Sequence, residues 1–244
     1  MNIILCNDDG IDSKGLTLLA KRLKGDGHNV LVVAPDGNRS GASHSLTFFK
    51  NFKVTERFDI CECKAYAISG TPADCIKFAK INFPEFNADI VISGINDGHN
   101  LGTDVLYSGT VSIACEAAYF GNISFAFSAL DLTNINFSIL LDYVVEIVNK
   151  LLPISSVGDI WNVNFPDINK VKGIKFAKLG KQVYTDRYLN MGNGQFQLVG
   201  ERIGCEQNDE DCDVYLIEKG YITITPILFD RTNITKIKEI WDNE

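Results

Sequence analysis

Apolar runs and helix-period stripes alternate along the first two-thirds of the chain, and that alternation sets the expected architecture. Residues 2–6 (NIILC) form a short apolar run ended by turn formers, which fits a buried strand of a parallel sheet. Over 14–25, Leu16, Leu19, Ala20 and Leu23 share one helix face, and Asp12 or Ser13 stands where the first turn needs a cap. GHNVLVVAP predicts a strand over 28–34 ended by Pro35, followed by a polar, glycine-bearing loop over 36–45. Segments 46–58 and 64–68 read as further strands with a turn between them. Thr71-Pro72-Ala73-Asp74 opens a helix to about residue 82, with proline at a first-turn position. ADIVISG (88–94) and ISFAFS (123–128) are two more buried strands, and SGTVSIACEAAYFG (108–121) is a helix ended by glycine. In FSILLDYVVEIVNKLLPI, Asp142, Glu146 and Lys150 recur every four residues and share a face, so this is an amphipathic helix and not a membrane span.

The pattern changes after about residue 165. Short strands are predicted around 174–188, 195–203 and 213–227, with a hairpin turn at Gly192-Asn193-Gly194 and a closing helix over 233–242. Strand–helix alternation implies βαβ units, hence an α/β fold with a mostly parallel sheet wrapped by helices, extended by a β-rich C-terminal part.

Composition narrows the function classes. With 244 residues and 45% apolar content the chain can build one large α/β domain, or one domain with an appendage. A net charge of -8 and the lack of a basic cluster exclude a general attraction to nucleic acid or anionic membrane. The seven cysteines lack CxxC spacing. Cys6, Cys75 and Cys115 lie in apolar or helical contexts expected of buried thiols, and neither Cys61-Glu-Cys63 nor Cys205 with Cys212 has zinc-finger partners. The first strand starts two residues after Met1 and charge follows at once, so no secretory signal is expected. These features predict a soluble protein of a reducing compartment, the cytoplasm.

In open α/β sheets ligands bind beyond the carboxyl ends of parallel strands. Three such strand ends carry polar loops here: Asn7-Asp8-Asp9-Gly10, the loop containing Asn38, Arg39, Ser40 and Ser43, and Ile95-Asn96-Asp97-Gly98. Two adjacent carboxylates about 4 Å apart repel by roughly 4 kcal/mol at an effective dielectric near 20, so NDDG is either a plain turn or a place for a cation. The donors on offer are hard oxygens, which suit Mg²⁺ or Mn²⁺ better than zinc. His44 and His99 lie nearby in sequence but lack metal-ligand spacing. Ser108, Gly109 and Thr110 stand where a helix begins, a position that suits a phosphate cradle and equally a helix cap.

NDDGI, APDGNRSGASHSLT, SGTPADC, SGINDGHNLGTDVLYSGTV, NVNFP and GYITITP occur in this order, and the chain thereby resembles the SurE (stationary-phase survival protein E) family from residue 1 to about 230. The resemblance implies a Rossmann-like three-layer core over 1–165 and a β-rich extension over 166–244 packed on it, with a swapped hairpin and a C-terminal helix. It implies a divalent-metal-dependent phosphomonoesterase, a 5′- and 3′-nucleotidase acting on nucleoside monophosphates. One Mg²⁺ or Mn²⁺ per subunit would be held by Asp8, Asp9, Ser40 and Asn96. Asn96, Ser108, Gly109 and Thr110 would bind the phosphate, and Asp8, Asp9 and Asn96 would carry the catalysis. It further implies a homodimer or tetramer by arm exchange, with Tyr188, Phe196 and Leu198 buried on association. Lys14, Asp97 and His99 depart from the family pattern, and a carboxylate at Asp97 would weaken polyanion binding if it faced the site.

Two other readings compete. Residues 1–35 also look like the start of a nucleotide-sugar glycosyltransferase, but the chain has no room for the second nucleotide-binding domain which that class needs. A non-catalytic nucleotide-binding module would not need the full oxygen-donor set. No Ser/His/Asp or cysteine-based nucleophile arrangement is evident.

Overall fold

The computed structural model describes residues 1–205 and 209–243. The first half follows the strand–helix alternation, as β1 (Asn2–Cys6), α1 (Lys14–Gly25), β2 (Asn29–Pro35), β3 (Val54–Arg57), β4 (Lys64–Ile68), α2 (Pro72–Asn82), β5 (Ile90–Asp97) and α3 (Gly109–Tyr119). Then come β6 (Ile123–Ala129), α4 (Phe137–Leu151), β7 (Ile160–Phe165), β8 (Ile174–Phe176), β9 (Gln182–Tyr184), β10 (Arg187–Gly192), β11 (Gln195–Val199) and β12 (Arg202–Cys205). The chain closes with α5 (Asp213–Glu218), β13 (Ile222–Ile227) and α6 (Ile234–Trp241).

Side chains alternate across a strand, and β1 divides the interior accordingly. Ile3 and Leu5 pack with α1 and α4 on one face, while Ile4 and Cys6 pack with α2 and α3 on the other. The result is a three-layer sandwich around a nine-stranded sheet in the order β3-β4-β2-β1-β5-β6-β7-β13-β8. Strands β4, β2, β1, β5, β6 and β7 run parallel, β3 is antiparallel at one edge, and β13 pairs antiparallel with β7. Buried on both faces, these strands read as continuous apolar runs rather than alternating ones. The C-terminal part therefore contributes β13 and β8 to the main sheet. It also forms a β10–β11 hairpin around Gly192, Asn193 and Gly194, and a β9–β12 pair.

Local signals hold where caps are strong. Ser13 accepts from the Leu16 N–H at the start of α1, and Thr71 and Asp74 form a reciprocal capping box on α2. Two expected strands differ. Residues 46–53 do not form a strand: Phe49 has φ 60°, and both the Thr47 N–H and its hydroxyl bond to the Asp74 carboxylate instead of a neighbouring strand. Residues 213–218 form helix α5, whose Val214 and Ile217 bury on one side against Leu101, so tertiary packing overrides the β-preference of this stretch. The Cys205 side chain lies outside the described residues. Among the described residues no helix is long and apolar enough to cross a membrane.

Phe127 is fully buried on β6, with its ring 5.9 Å from that of Phe125 and 6.0 Å from that of Phe165. Phe127→Ala should lower the unfolding free energy by about 3–5 kcal/mol, the usual loss when a large core aromatic leaves a cavity. Urea unfolding should show the midpoint fall with an unchanged slope.

Candidate active site

The switch in strand order falls between β1 and β5, since the chain moves outward in one direction from β1 to β2 and β4 and in the other from β5 to β6 and β7. A crevice opens at such a point beyond the carboxyl ends of the strands. Asp8 and Asp9 follow β1 there, and Asn96 stands near the end of β5.

Asn7 shapes the first loop. Its buried amide accepts from the Gly10 N–H at 3.2 Å and donates to Gly10 O at 3.1 Å and to Ser13 Oγ at 2.6 Å. Gly10 has φ 105°, and a Cβ there would meet Gly37 backbone at 3.0 Å, so only glycine lets the first two loops touch. The Arg39 N–H then donates to Asp8 O at 2.7 Å, and Ile11 N–H to Pro35 O at 2.8 Å. These contacts bring the loop of Ser40 beside Asp8 and Asp9. Asn38 links them directly, accepting from the Ser40 N–H at 2.8 Å and reaching Asp9 Oδ1 at 3.5 Å. The sequence reading placed Asn38 in this loop without giving it a role; its position two residues before Ser40 was the available signal.

On β5 the register shifts between Ser93 and Asn96, and Gly94 (φ 126°) leaves no room for a side chain against Phe127 O. Such a bulge re-aims the residues that follow it. The Asn96 Nδ2 donates to Gly98 O at 2.9 Å, which leaves its amide oxygen as the outward donor atom. The Asp97 N–H donates to Asp9 Oδ2 at 3.2 Å, while the Asp97 carboxylate accepts from the Leu132 N–H at 3.1 Å. Its charge is thereby tied to the loop after β6, although it still contributes to raising the Asp9 pKa.

The start of α3 meets Asp8 closely. Thr110 is fully buried and its hydroxyl donates to Asp8 Oδ1 at 2.6 Å. A Cβ on Gly109 would stand 2.6 Å from Asp8 Oδ2. Ser108 caps the helix, accepting from the Val111 N–H at 3.0 Å. The Ser108 hydroxyl thus acts as a helix cap and the Thr110 hydroxyl as an Asp8 ligand, which leaves the backbone of the first turn as the surface for an anion.

Burial raises the Asp8 pKa, against the opposing pull of the Thr110 hydroxyl and nearby backbone N–H groups. Burial, then Asp8, then Asp97 push Asp9 up to about 6. The two carboxylates are therefore held close against their own repulsion. Among the described residues no three His, Cys, Asp or Glu side chains converge. The donors on hand are two carboxylates, the Asn96 amide oxygen and the exposed Ser40 hydroxyl, all hard oxygens, so a small divalent cation fits the set. The two histidines stand elsewhere: His44 Nε2 lies 2.8 Å from Glu116 Oε2, and His99 Nε2 lies 2.8 Å from Phe165 O.

A cavity of about 810 Å³ lies along α3, lined by His44, Lys77, Glu116, Leu228 and Phe229 among others, and none of the candidate donors lines it. Its lining holds neither the paired carboxylates nor Ser108, Gly109 and Thr110 at the start of α3.

Fold and site together define an α/β protein whose oxygen-donor loops and a helix N-terminus meet at the switch point of its sheet. The family model described as "Survival protein SurE" matches residues 3–186, and the chain belongs to the SurE family. It is 38% identical to the 5′-nucleotidase SurE of Caldanaerobacter subterraneus subsp. tengcongensis, over 98% of this chain and 96% of that protein. It is 40% identical to the 5′-nucleotidase SurE of Clostridium botulinum (strain Loch Maree / Type A3), over 98% and 97% of the two chains. The crystal structure of the SurE protein from Aquifex aeolicus matches with a TM-score of 0.80 at 37% identity, covering 98% of this chain and 97% of that one.

Asp9 supplies a test of the electrostatics. A carboxyl whose folded pKa lies above its unfolded value of 3.8 binds protons on folding, so its ionisation destabilises the cation-free fold as pH rises through about 6. Asp9→Asn should therefore raise the melting temperature of the metal-free protein at pH 7 and shrink the gain on adding Mn²⁺. At pH 4 the metal-free variant and parent should differ much less. Differential scanning calorimetry with and without Mn²⁺ reads both effects.

Proposed function

We propose that the chain is a divalent-metal-dependent phosphomonoesterase that hydrolyses nucleoside 5′-monophosphates, and 3′-monophosphates, to nucleoside and phosphate. The observation that supports the reading is the Asp8 carboxylate set against the first turn of α3, where a cation and a phosphate would lie side by side. Asp8, Asp9, Ser40 and Asn96 would hold one Mg²⁺ or Mn²⁺. When bound, the cation supplies positive charge to a phosphoryl oxygen and acidifies water at neutral pH.

The remaining work falls to the chain's own groups, and phosphoryl transfer is chiefly positioning and charge stabilisation. The backbone at Ser108, Gly109 and Thr110, with the positive end of α3 behind it, would receive the phosphate beside the Asp8 carboxylate. That carboxylate itself draws on the Gly109 and Thr110 N–H groups. Asn96 steadies an equatorial oxygen. The Thr110 hydroxyl, bonded to Oδ1, keeps the Asp8 carboxylate in one orientation against the first turn of α3.

We place the protein in the cytoplasm, on the buried thiols of Cys6 and Cys75. Its working form is a homodimer or a tetramer formed by arm exchange. Tyr188, Phe196 and Leu198 on the hairpin are 70%, 62% and 56% exposed, and α6 buries none of its residues although it is amphipathic. A two-stranded hairpin is marginal in water without a cover.

Phosphate release from a panel of nucleoside monophosphates should be robust in Mn²⁺ or Mg²⁺ and abolished by excess EDTA, then restored by the cation. Asp8→Asn should lose most activity in every case while keeping its circular dichroism spectrum. Full turnover in EDTA would overturn the metal assignment. Sedimentation at micromolar concentration should give a dimer or larger, and deletion of residues 189–196 should weaken association far more than it disturbs Mn²⁺ binding.

A further inference from the structure

The chain between Asn96 and Ser108 joins the cation side of the site to the phosphate side, and the C-terminal part of the fold holds it. Asn100 comes first: its N–H donates to Asn164 Oδ1 at 2.8 Å, and its carbonyl accepts from Asn162 Nδ2 at 2.8 Å and Asn164 Nδ2 at 3.0 Å. Next, Asp213 is fully buried at the start of α5 and bridges two separate stretches of backbone. Its Oδ2 accepts from the Gly102 N–H at 2.8 Å, and its Oδ1 accepts from the Gly180 and Val214 N–H groups, both at 2.8 Å. Gly102 has φ 51°, and a Cβ there would stand 2.4 Å from Gly180 O, so the two strands of chain touch with no space for a side chain. Finally, Asp104 accepts from both Gln182 Nε2 and the Tyr184 hydroxyl on β9. The Tyr107 N–H donates to Asp104 O at 2.9 Å, one residue before Ser108 begins the helix cap.

These bonds converge from one side. The carboxylate loops are held from another, by the Gly10–Gly37 contact and the Arg39 N–H to Asp8 O bond. The two halves meet where the Ser43 N–H and hydroxyl donate to Tyr107 O at 3.1 Å and Leu106 O at 2.7 Å, and where Thr110 bonds Asp8. The bonds from Asp213, Gln182 and Tyr184 instead reach the crevice through residues 101–104.

We propose that Asp104 and Asp213 are positioning residues for the phosphate: with Gly180, Gln182 and Tyr184 they form a clasp by which the C-terminal extension sets the first turn of α3. The proposal rests on the phosphomonoesterase reading and deepens it. The physical reason is that the anion-binding N–H groups of a helix start are only as well placed as the segment that delivers them. A displacement of about 1 Å at a reacting group is enough to lower turnover about 100-fold. Asp213 uses its two oxygens to grip donors on different segments at once, while Asp104 takes two β9 donors on its Oδ2.

The test compares full-length Asp104→Asn, Tyr184→Phe, the double variant and Asp213→Asn with the parent. Thermal melts establish which are folded, and Asp104→Asn, at a half-buried surface position, keeps the test open if Asp213→Asn does not fold. Three quantities are read: kcat and KM for a nucleoside monophosphate in Mn²⁺, the inhibition constant or direct affinity for inorganic phosphate, and Mn²⁺ affinity by calorimetry without substrate. Asp104→Asn should lower kcat by about 100-fold and weaken phosphate binding, while Mn²⁺ affinity stays at the parent value. Tyr184→Phe should have a smaller effect in the same direction, and the double variant should be no worse than Asp104→Asn, because both remove the same link. Parent-level kcat and phosphate affinity in folded Asp104→Asn would overturn the clasp. So would an equal loss of Mn²⁺ binding, which marks a general structural role. If the parent itself releases no phosphate in Mn²⁺, the phosphomonoesterase reading fails, and the direct phosphate and Mn²⁺ affinities of the variants still decide the clasp.

Discussion

The contact on which the rest of the site depends is the meeting of Asp8 with the first turn of α3. A carboxylate placed against a helix N-terminus gains from the dipole and from the free N–H groups there. Here the approach is close because Gly109 has no side chain and Thr110 gives its hydroxyl to Asp8 Oδ1. Any larger residue at 109 would force the end of β1 and α3 apart. Once this contact is made, the second loop is drawn in through the Arg39 N–H to Asp8 O bond, and Asn38 carries the link on to Asp9. The third loop closes on Asp9 through the Asp97 N–H. Three loops far apart in sequence thus assemble around a pair of like charges.

Much of this was legible along the chain, for reasons that differ from residue to residue. Strands β1, β5 and β6 showed as apolar runs because both of their faces are buried. The helix starts near Ser13, Thr71, Ser108 and Asn233 showed because a first turn favours short polar side chains, and the structure makes each of the four a cap. The convergence of NDDG, the Ser40 loop and Asn96 followed from a topological rule about strand ends. What sequence could not reveal was long-range geometry: the Gly10–Gly37 contact, the Thr110–Asp8 bond, or the use of Asp97 on the Leu132 N–H. Residues 46–53 and 213–218 misled for a related reason. Both have β-like composition, and in both a distant partner takes over, Asp74 in the first and the Leu101 packing in the second.

The C-terminal part follows a different logic from the parallel core. Its strands β13 and β8 extend the main sheet beyond β7, so their apolar residues share the same interior. Asp213, Gln182 and Tyr184 instead reach back to residues 101–104, and the β10–β11 hairpin stands out with large apolar side chains exposed. One stretch of chain therefore has three duties: completing the sheet, gripping the segment before α3, and offering a surface for association.

These duties also bear on how a strained charge pair can persist. Burial pushes both carboxyls toward protonation and the charge of Asp8 adds to the push on Asp9, so the pair is a local defect in the cation-free fold. Departures from local consistency that a sequence retains tend to fall at functional positions. The defect cannot relax by Asp8 swinging away, because Thr110 and the turn built by Asn7 hold it. Nor can α3 recede, since the residues leading into it are bound to β7, β9 and α5. A fold that closes off the mechanical routes leaves the electrostatic ones: a proton at low pH, or the divalent cation we propose these carboxylates hold.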